Sequence, residues 1–162
     1  MSALDKLFET SGKKLIGYLP AGYPSVANAK EVISAMVDGG VDAIEVGFPY
    51  SDPVMDGPTI QAAVDQSLKQ GTKIKDVIDT AGDVAKLGVP ALVMSYWNPI
   101  EANGVKKFAS DLASAGGVGV ITPDLTPEEA VDWIESTDGK LDRVFLVALS
   151  STNERIATIC NV

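Results

Sequence analysis

The residues of this sequence best suited to chemistry are carboxylates. Glu45 stands inside an apolar run, Ala43-Ile44-Glu45-Val46, and Asp56 follows eleven residues later in a loop that also holds Asp52. A carboxylate in an apolar strand is costly to desolvate unless it is paired, and otherwise its pKa rises. A raised pKa is what a general acid/base working near neutrality needs. The competing reading is a strand Glu that faces solvent or pairs with Lys14 or another base. The loop after Glu45 carries Pro49, Pro53 and Pro58 with Gly47 and Gly57. Prolines reduce the entropy lost on ordering a loop, so this one can hold side chains in place. Taken singly, Asp52 and Asp56 also fit ordinary turn chemistry, since Asp-Pro and Asp-Gly are common turn pairs.

Composition removes several other chemistries. The 162 residues include no histidine and one cysteine, Cys160, which excludes an internal disulfide, His/Cys metal sites and a His-based triad. Asp and Glu number 22 against 13 Lys and Arg, a net charge of −9. That balance disfavours nucleic acid or an anionic membrane surface as partner. Met1 to Lys14 is charged and lacks the apolar stretch of a secretory signal, and no apolar run approaches the ~18 residues of a membrane span. The expectation is a soluble, cytoplasmic, single domain over residues 1–162, its chemistry done by carboxylates, hydroxyls, lysines or backbone.

The elements that must position the carboxylates alternate. Short β-branched runs predict strands at Leu15–Leu19, Ala43–Val46, Ala91–Ser95, Gly119–Thr122 and Val144–Ala148. Between them, apolar residues at helical spacing predict helices at Val26–Val37, Lys73–Leu87 and Val105–Ala115. Ser25 is placed to cap the first, and Gly88-Val89-Pro90 to stop the second. A further helix, Thr126–Ile134, opens on Thr126-Pro127-Glu128-Glu129, the pattern of a capping box. Gly57-Pro58-Thr59 looks like another helix start, and a last helix begins near Ser151-Thr152-Asn153-Glu154. Strand–helix alternation with near-continuous apolar strands means a parallel sheet covered by helices. Gly39-Gly40-Val41-Asp42-Ala43-Ile44 is echoed by Gly116-Gly117-Val118-Gly119-Val120-Ile121, and both lead into polar loops at strand C-terminal ends, where such folds bind ligands. Five strands fit an open doubly wound sheet or part of a (βα)8 barrel, which needs at least ~200 residues. Periodicity alone slightly favours the open sheet.

Longer motifs carry a resemblance. Leu19-Pro20-Ala21-Gly22-Tyr23-Pro24 and Glu45-Val46-Gly47-Phe48-Pro49-Tyr50-Ser51-Asp52-Pro53 are followed by Asp56-Gly57-Pro58-Thr59-Ile60-Gln61. Together with Met94-Ser95-Tyr96-Trp97-Asn98-Pro99, Pro123-Asp124-Leu125 and Val144-Phe145-Leu146-Val147-Ala148, they resemble the tryptophan synthase alpha-subunit family in order across the chain. The resemblance implies a (βα)8 TIM barrel rather than an open sheet, here about five βα units, with strands six to eight and the phosphate-binding and closing loops absent. It implies a retro-aldol lyase that cleaves indole-3-glycerol phosphate to indole and glyceraldehyde 3-phosphate. By position Glu45 is then the acid/base and Asp56 the carboxylate that stabilises the indole N–H. Tyr18, Ile60, Met94, Tyr96 and Phe145 form an apolar indole slot, although core packing explains those residue types equally well.

The resemblance further implies no cofactor on this chain and a beta-subunit partner holding pyridoxal phosphate, in an alpha2beta2 assembly. Tyr50, Pro53, Val54 and Met55, with Asn98 to Gly104, are its interface candidates. Two positions depart from the family pattern: Leu149-Ser150 stands where Pro and a polar residue are common, and Gly119–Thr122 lacks an acidic residue. Two other readings stand beside it. One is a catalytically incompetent module that only binds a partner or itself through open sheet edges. The other is an open-sheet phosphate or flavin binder, disfavoured because Pro20-Ala21-Gly22-Tyr23-Pro24 is no glycine-rich phosphate loop.

Overall fold

The computed structural model describes residues 2–162. Five parallel strands lie in the order β1-β2-β3-β4-β5: Ile16–Pro20, Ala43–Gly47, Ala91–Met94, Gly119–Thr122 and Asp142–Phe145. Because the order never reverses, this is not a doubly wound sheet, and the preference drawn from periodicity is corrected. Crossovers between parallel neighbours are right-handed in nearly all folds. A sheet that grows in one direction therefore receives all its crossover helices on one face and curves as an arc of a barrel.

The helices are α1 (Ala3–Glu9), α2 (Val26–Asp38), α3 (Pro58–Lys69), α4 (Ile74–Lys86), α5 (Trp97–Asn103), α6 (Val105–Ala115), α7 (Val131–Thr137) and α8 (Asn153–Cys160). The Ser25 hydroxyl accepts the Asn28 amide at 3.1 Å and caps α2 as expected. The box expected at Thr126 does not form. Its hydroxyl donates to the Glu129 carboxylate at 3.2 Å instead, and Pro127–Glu129 winds as a 3-10 turn ahead of α7. Two short helices, α1 and α5, are absent from the sequence expectations, since seven residues are too few to show a period. The last strand also differs. Val144–Ala148 reads as apolar strand, yet β4 ends at Thr122, before Pro123, so pairing stops at Phe145 and extends back to Asp142.

Strand parity sorts the side chains. Ile44, Val46, Ala91, Val93 and Val120 point to the helices and join Ile33, Val77, Ala81, Val84, Phe108, Leu112 and Trp133 in one core. Trp133 is fully buried, edge-on to Trp97 at 5.9 Å and tilted against Phe108 at 6.3 Å. The residues between these, Tyr18, Glu45, Leu92, Met94, Ile121 and Val144, occupy the opposite face, where β1 to β5 bring them side by side. Phe108→Ala should cost about 3–5 kcal/mol, as large-to-small changes of buried aromatics do. Denaturant unfolding at an unchanged m-value would show it.

Candidate functional site

The site is built on the face of the sheet that the helices leave free. Glu45 pairs in register with Tyr18 on one side and Leu92 on the other, and Gly47 pairs with Met94. Among the described residues, no ion pair reaches Glu45. Lys14, the base considered for it, donates instead to the Thr10 hydroxyl at 2.6 Å. Half-burial without a partner raises the Glu45 pKa, and desolvation is the whole cause. The strand carboxylate thus has the property that the sequence pattern suggested.

Asp56 reaches the same mouth from the loop between β2 and α3. The Tyr96 hydroxyl donates to Asp56 Oδ1 at 3.2 Å and accepts the Met55 amide at 2.9 Å. Gln61 Nε2 holds the Asp56 carbonyl at 2.7 Å. Tyr96 is buried, and its ring lies 5.4 Å from that of Tyr50, whose hydroxyl accepts from Asn98 Nδ2 at 2.9 Å. One tyrosine after β3 therefore pins the loop after β2. Burial is the main cause that raises the Tyr96 pKa, with the Asp56 charge adding to it and the Met55 and Val54 amides opposing.

Neighbouring loops are tied in as well. The Trp97 amide at the start of α5 donates to both Asp124 oxygens, at 2.9 and 3.1 Å. A carboxylate after β4 thereby caps a helix that has no side-chain cap of its own. Gln66 of α3 and Gln70 at its C-cap both donate to the Pro24 carbonyl, at 2.9 and 2.6 Å, and hold the loop after β1. At Gly22, where φ is +76°, a β-carbon would fall 2.1 Å from the Thr72 hydroxyl, so the loop requires glycine.

The structure brings together most of the residues singled out in the sequence. Tyr18, Glu45 and Met94 share the free face, and Tyr96 joins Asp56 above them. Tyr18 is paired with Glu45 in the register, and its pKa is raised by burial first and then by the charges of Asp56 and Glu45. Ile60 sits half-buried in the first turn of α3, just beyond Asp56. Phe145 is the exception. It pairs with Thr122 and packs into the core between sheet and helices, on the wrong face for the slot. Leu92, Ile121 and Val144 line the free face instead. Glu45 itself was the signal that could have found them, since every second residue from it, carried across the register, shares its face.

Among the described residues no group of three or more His, Cys, Asp or Glu is arranged to hold a metal, and no helix is long and apolar enough to cross a membrane. The arrangement suits proton transfer: one carboxylate with a raised pKa, a second carboxylate on a fixed loop, and apolar and aromatic walls between them.

The chain as a whole is similar to known proteins. The family model for the tryptophan synthase alpha chain matches residues 4–162. The tryptophan synthase alpha chain of Thermobifida fusca is 61% identical over 147 residues, and that of Nocardia farcinica 57% over 143. These alignments cover 90% and 88% of this chain but 54% of each relative, so the chain spans about half the length of the curated relatives it matches. Tryptophan synthase from Mycobacterium tuberculosis, in its aminoacrylate-bound form, superposes with a TM-score of 0.96 at 46% identity, covering 99% of this chain and 68% of that one. A chain of the tryptophan synthase α2β2 complex of Pyrococcus furiosus gives 0.84 at 31% identity, covering 91% of this chain and 64% of that one.

Tyr96→Phe should loosen the Asp56 loop. Losing the donor to Asp56 and the acceptor for the Met55 amide should cost about 1 kcal/mol in unfolding free energy. Amide exchange at Met55 should rise while exchange in β2 stays constant. Phe145→Ala should lower stability by about 3 kcal/mol, as denaturant unfolding can establish.

Proposed function

The chain belongs to the tryptophan synthase alpha chain family, and on that premise we propose that it cleaves indole-3-glycerol phosphate to indole and glyceraldehyde 3-phosphate. The fold is that family's α/β TIM barrel, represented here by five βα units. The observation that carries the reading is the unpaired, half-buried Glu45 facing the same space as Asp56. A carbon–carbon bond next to indole breaks once C3 of the ring is protonated and the hydroxyl on the adjacent side-chain carbon gives up its proton. Glu45, whose raised pKa favours its acid form, supplies the first proton and as carboxylate takes the second. As the ring becomes an indolenine its nitrogen turns positive, and the Asp56 carboxylate, fixed by Tyr96, stabilises that charge. Tyr18, Ile60, Met94 and Tyr96 are the proposed slot for the ring, with Leu92 and Ile121 beneath it.

The reaction is redox-neutral and only shifts protons and bonding electron pairs, so we assign no cofactor to this chain. Pyridoxal phosphate belongs, in this reading, to a beta-chain partner that takes up the indole, in an alpha2beta2 complex in the cytoplasm. Val54 and Met55, 77% and 57% exposed beside the Asp56 loop, are the proposed contacts, with Tyr50, Pro53 and Asn98. Residues 1–162 act in this reading as part of a barrel domain whose phosphate contacts come from the portion of the family's length outside the alignment.

Glu45→Gln in the full-length protein tests the reading, with indole release measured with and without a beta chain. Release should fall about 100- to 10,000-fold, the usual contribution of a general acid/base. Stability should move the other way. With its pKa raised above the ordinary 4.5, the folded chain holds the Glu45 proton more tightly than the unfolded chain does. That contribution to stability is complete below the ordinary value and is lost as pH rises through the raised one. The Gln variant, neutral throughout, should melt above the wild type at pH 8 and level with it near pH 4. Undiminished indole release by the variant would refute the role.

A further inference from the structure

One hydroxyl at the mouth has no work in the scheme above. Tyr18 neighbours Glu45 in the register. Its ring leans toward the C-terminal end of the strands, so that a β-carbon on Gly47 would fall 2.2 Å from its hydroxyl oxygen and 2.6 Å from Cζ. Glycine at position 47 is thus what admits the phenol. The contrast with Tyr96 is informative: that hydroxyl is committed to Asp56 and Met55, whereas among the described residues Tyr18 Oη has no hydrogen-bond partner. A wall for an indole ring needs no hydroxyl, yet the half-buried Tyr18 ring carries one that no protein group holds. Tyr18 keeps its O–H free in the space that Glu45 and Asp56 share.

We propose that Tyr18 is a further catalytic residue, its O–H donating to the oxygen of the substrate hydroxyl that Glu45 deprotonates. The proposal rests on the lyase reading. Paired residues of adjacent strands lie about 4.8 Å apart in the hydrogen-bonding direction, so a hydroxyl in contact with Glu45 is within reach of the phenol that leans over the neighbouring strand. In the cleavage step the hydroxyl proton passes to the Glu45 carboxylate and the O–H electron pair forms the carbonyl. The carbon–carbon bonding pair moves into the indolenine, which restores indole. The oxygen carries negative charge part-way through, and a donor fixed beside it stabilises that charge in the transition state. Burial first, then the Asp56 and Glu45 charges, raise the phenol's pKa far above its usual range, which keeps it a neutral donor at any pH where Glu45 titrates.

Tyr18→Phe in the full-length protein removes only the hydroxyl, which has no partner to lose, so the fold should be preserved. The cleavage kcat should fall at least about 10-fold with KM within about threefold, the pattern of an interaction made in the transition state. Indole, which carries no side-chain hydroxyl, should bind the variant as tightly as the wild type by calorimetry. An unchanged kcat would overturn the proposal, and so would an equal loss of affinity for indole and for substrate, which marks a packing role. A wild type that cleaves nothing would overturn the lyase reading, and this inference with it. A wild type that cleaves normally beside an equally active Phe variant would overturn this inference alone.

Discussion

A crossover between neighbouring parallel strands carries its helix to one side of the sheet. Because the strand order here never reverses, each successive crossover helix arrives on the same side. Two unlike faces result. The helix face buries Ile44, Val46, Val93 and Val120 against Phe108, Leu112 and Trp133. The other face is relieved of packing duty and can carry Glu45 in the middle of a strand. A carboxylate on the helix face would be buried among aliphatic side chains at a cost of several kcal/mol. On the free face it is half-buried, enough to raise its pKa without breaking the sheet.

The loops at the C-terminal ends of the strands complete what the sheet begins. Three of them are held by side chains from other segments or the following helix: Pro24 by Gln66 and Gln70, Asp56 by Tyr96 and Gln61, and the start of α5 by Asp124. Such cross-links convert loops into fixed supports, and the prolines at 49, 53 and 58 further limit how far the Asp56 loop can stray. Loose loops would leave Asp56 free to wander from the space above Glu45, and the role proposed for it needs a fixed position, since an ångström of misplacement can cost a reaction about 100-fold.

Much of this was legible in the residues. A charge in an apolar strand, a loop dense in proline and the alternation of strands with helices all survive into the structure, because each reflects a cost paid locally. Strand parity was not legible. Val144 to Ala148 is apolar throughout, so nothing in the run tells which residues face the helices, and a shift of one position reverses the answer. Phe145 was misplaced for that reason, whereas the charge of Glu45 marks its own face in the sequence. The capping box at Thr126 failed for another reason. A 3-10 turn brings the Glu129 carboxylate to the Thr126 hydroxyl, and that local hydrogen bond takes the place of the expected cap. Tyr96 pinning Asp56 joins residues forty apart in sequence, a contact that no local pattern encodes.

The two carboxylates differ in what surrounds them more than in what they are. Glu45 comes from a strand, where backbone amides are consumed by the ladder and cannot turn toward a side chain. With no donor in reach, its burial goes uncompensated and raises its pKa. Asp56 comes from a loop, where a phenol can be aimed at it and the backbone is free to bend toward the mouth. Strand and loop thus impose opposite environments on chemically similar groups, and a site that needs both an acid and a fixed negative charge draws one from each. The division of labour follows from the hydrogen-bonding demands of secondary structure, before any substrate enters.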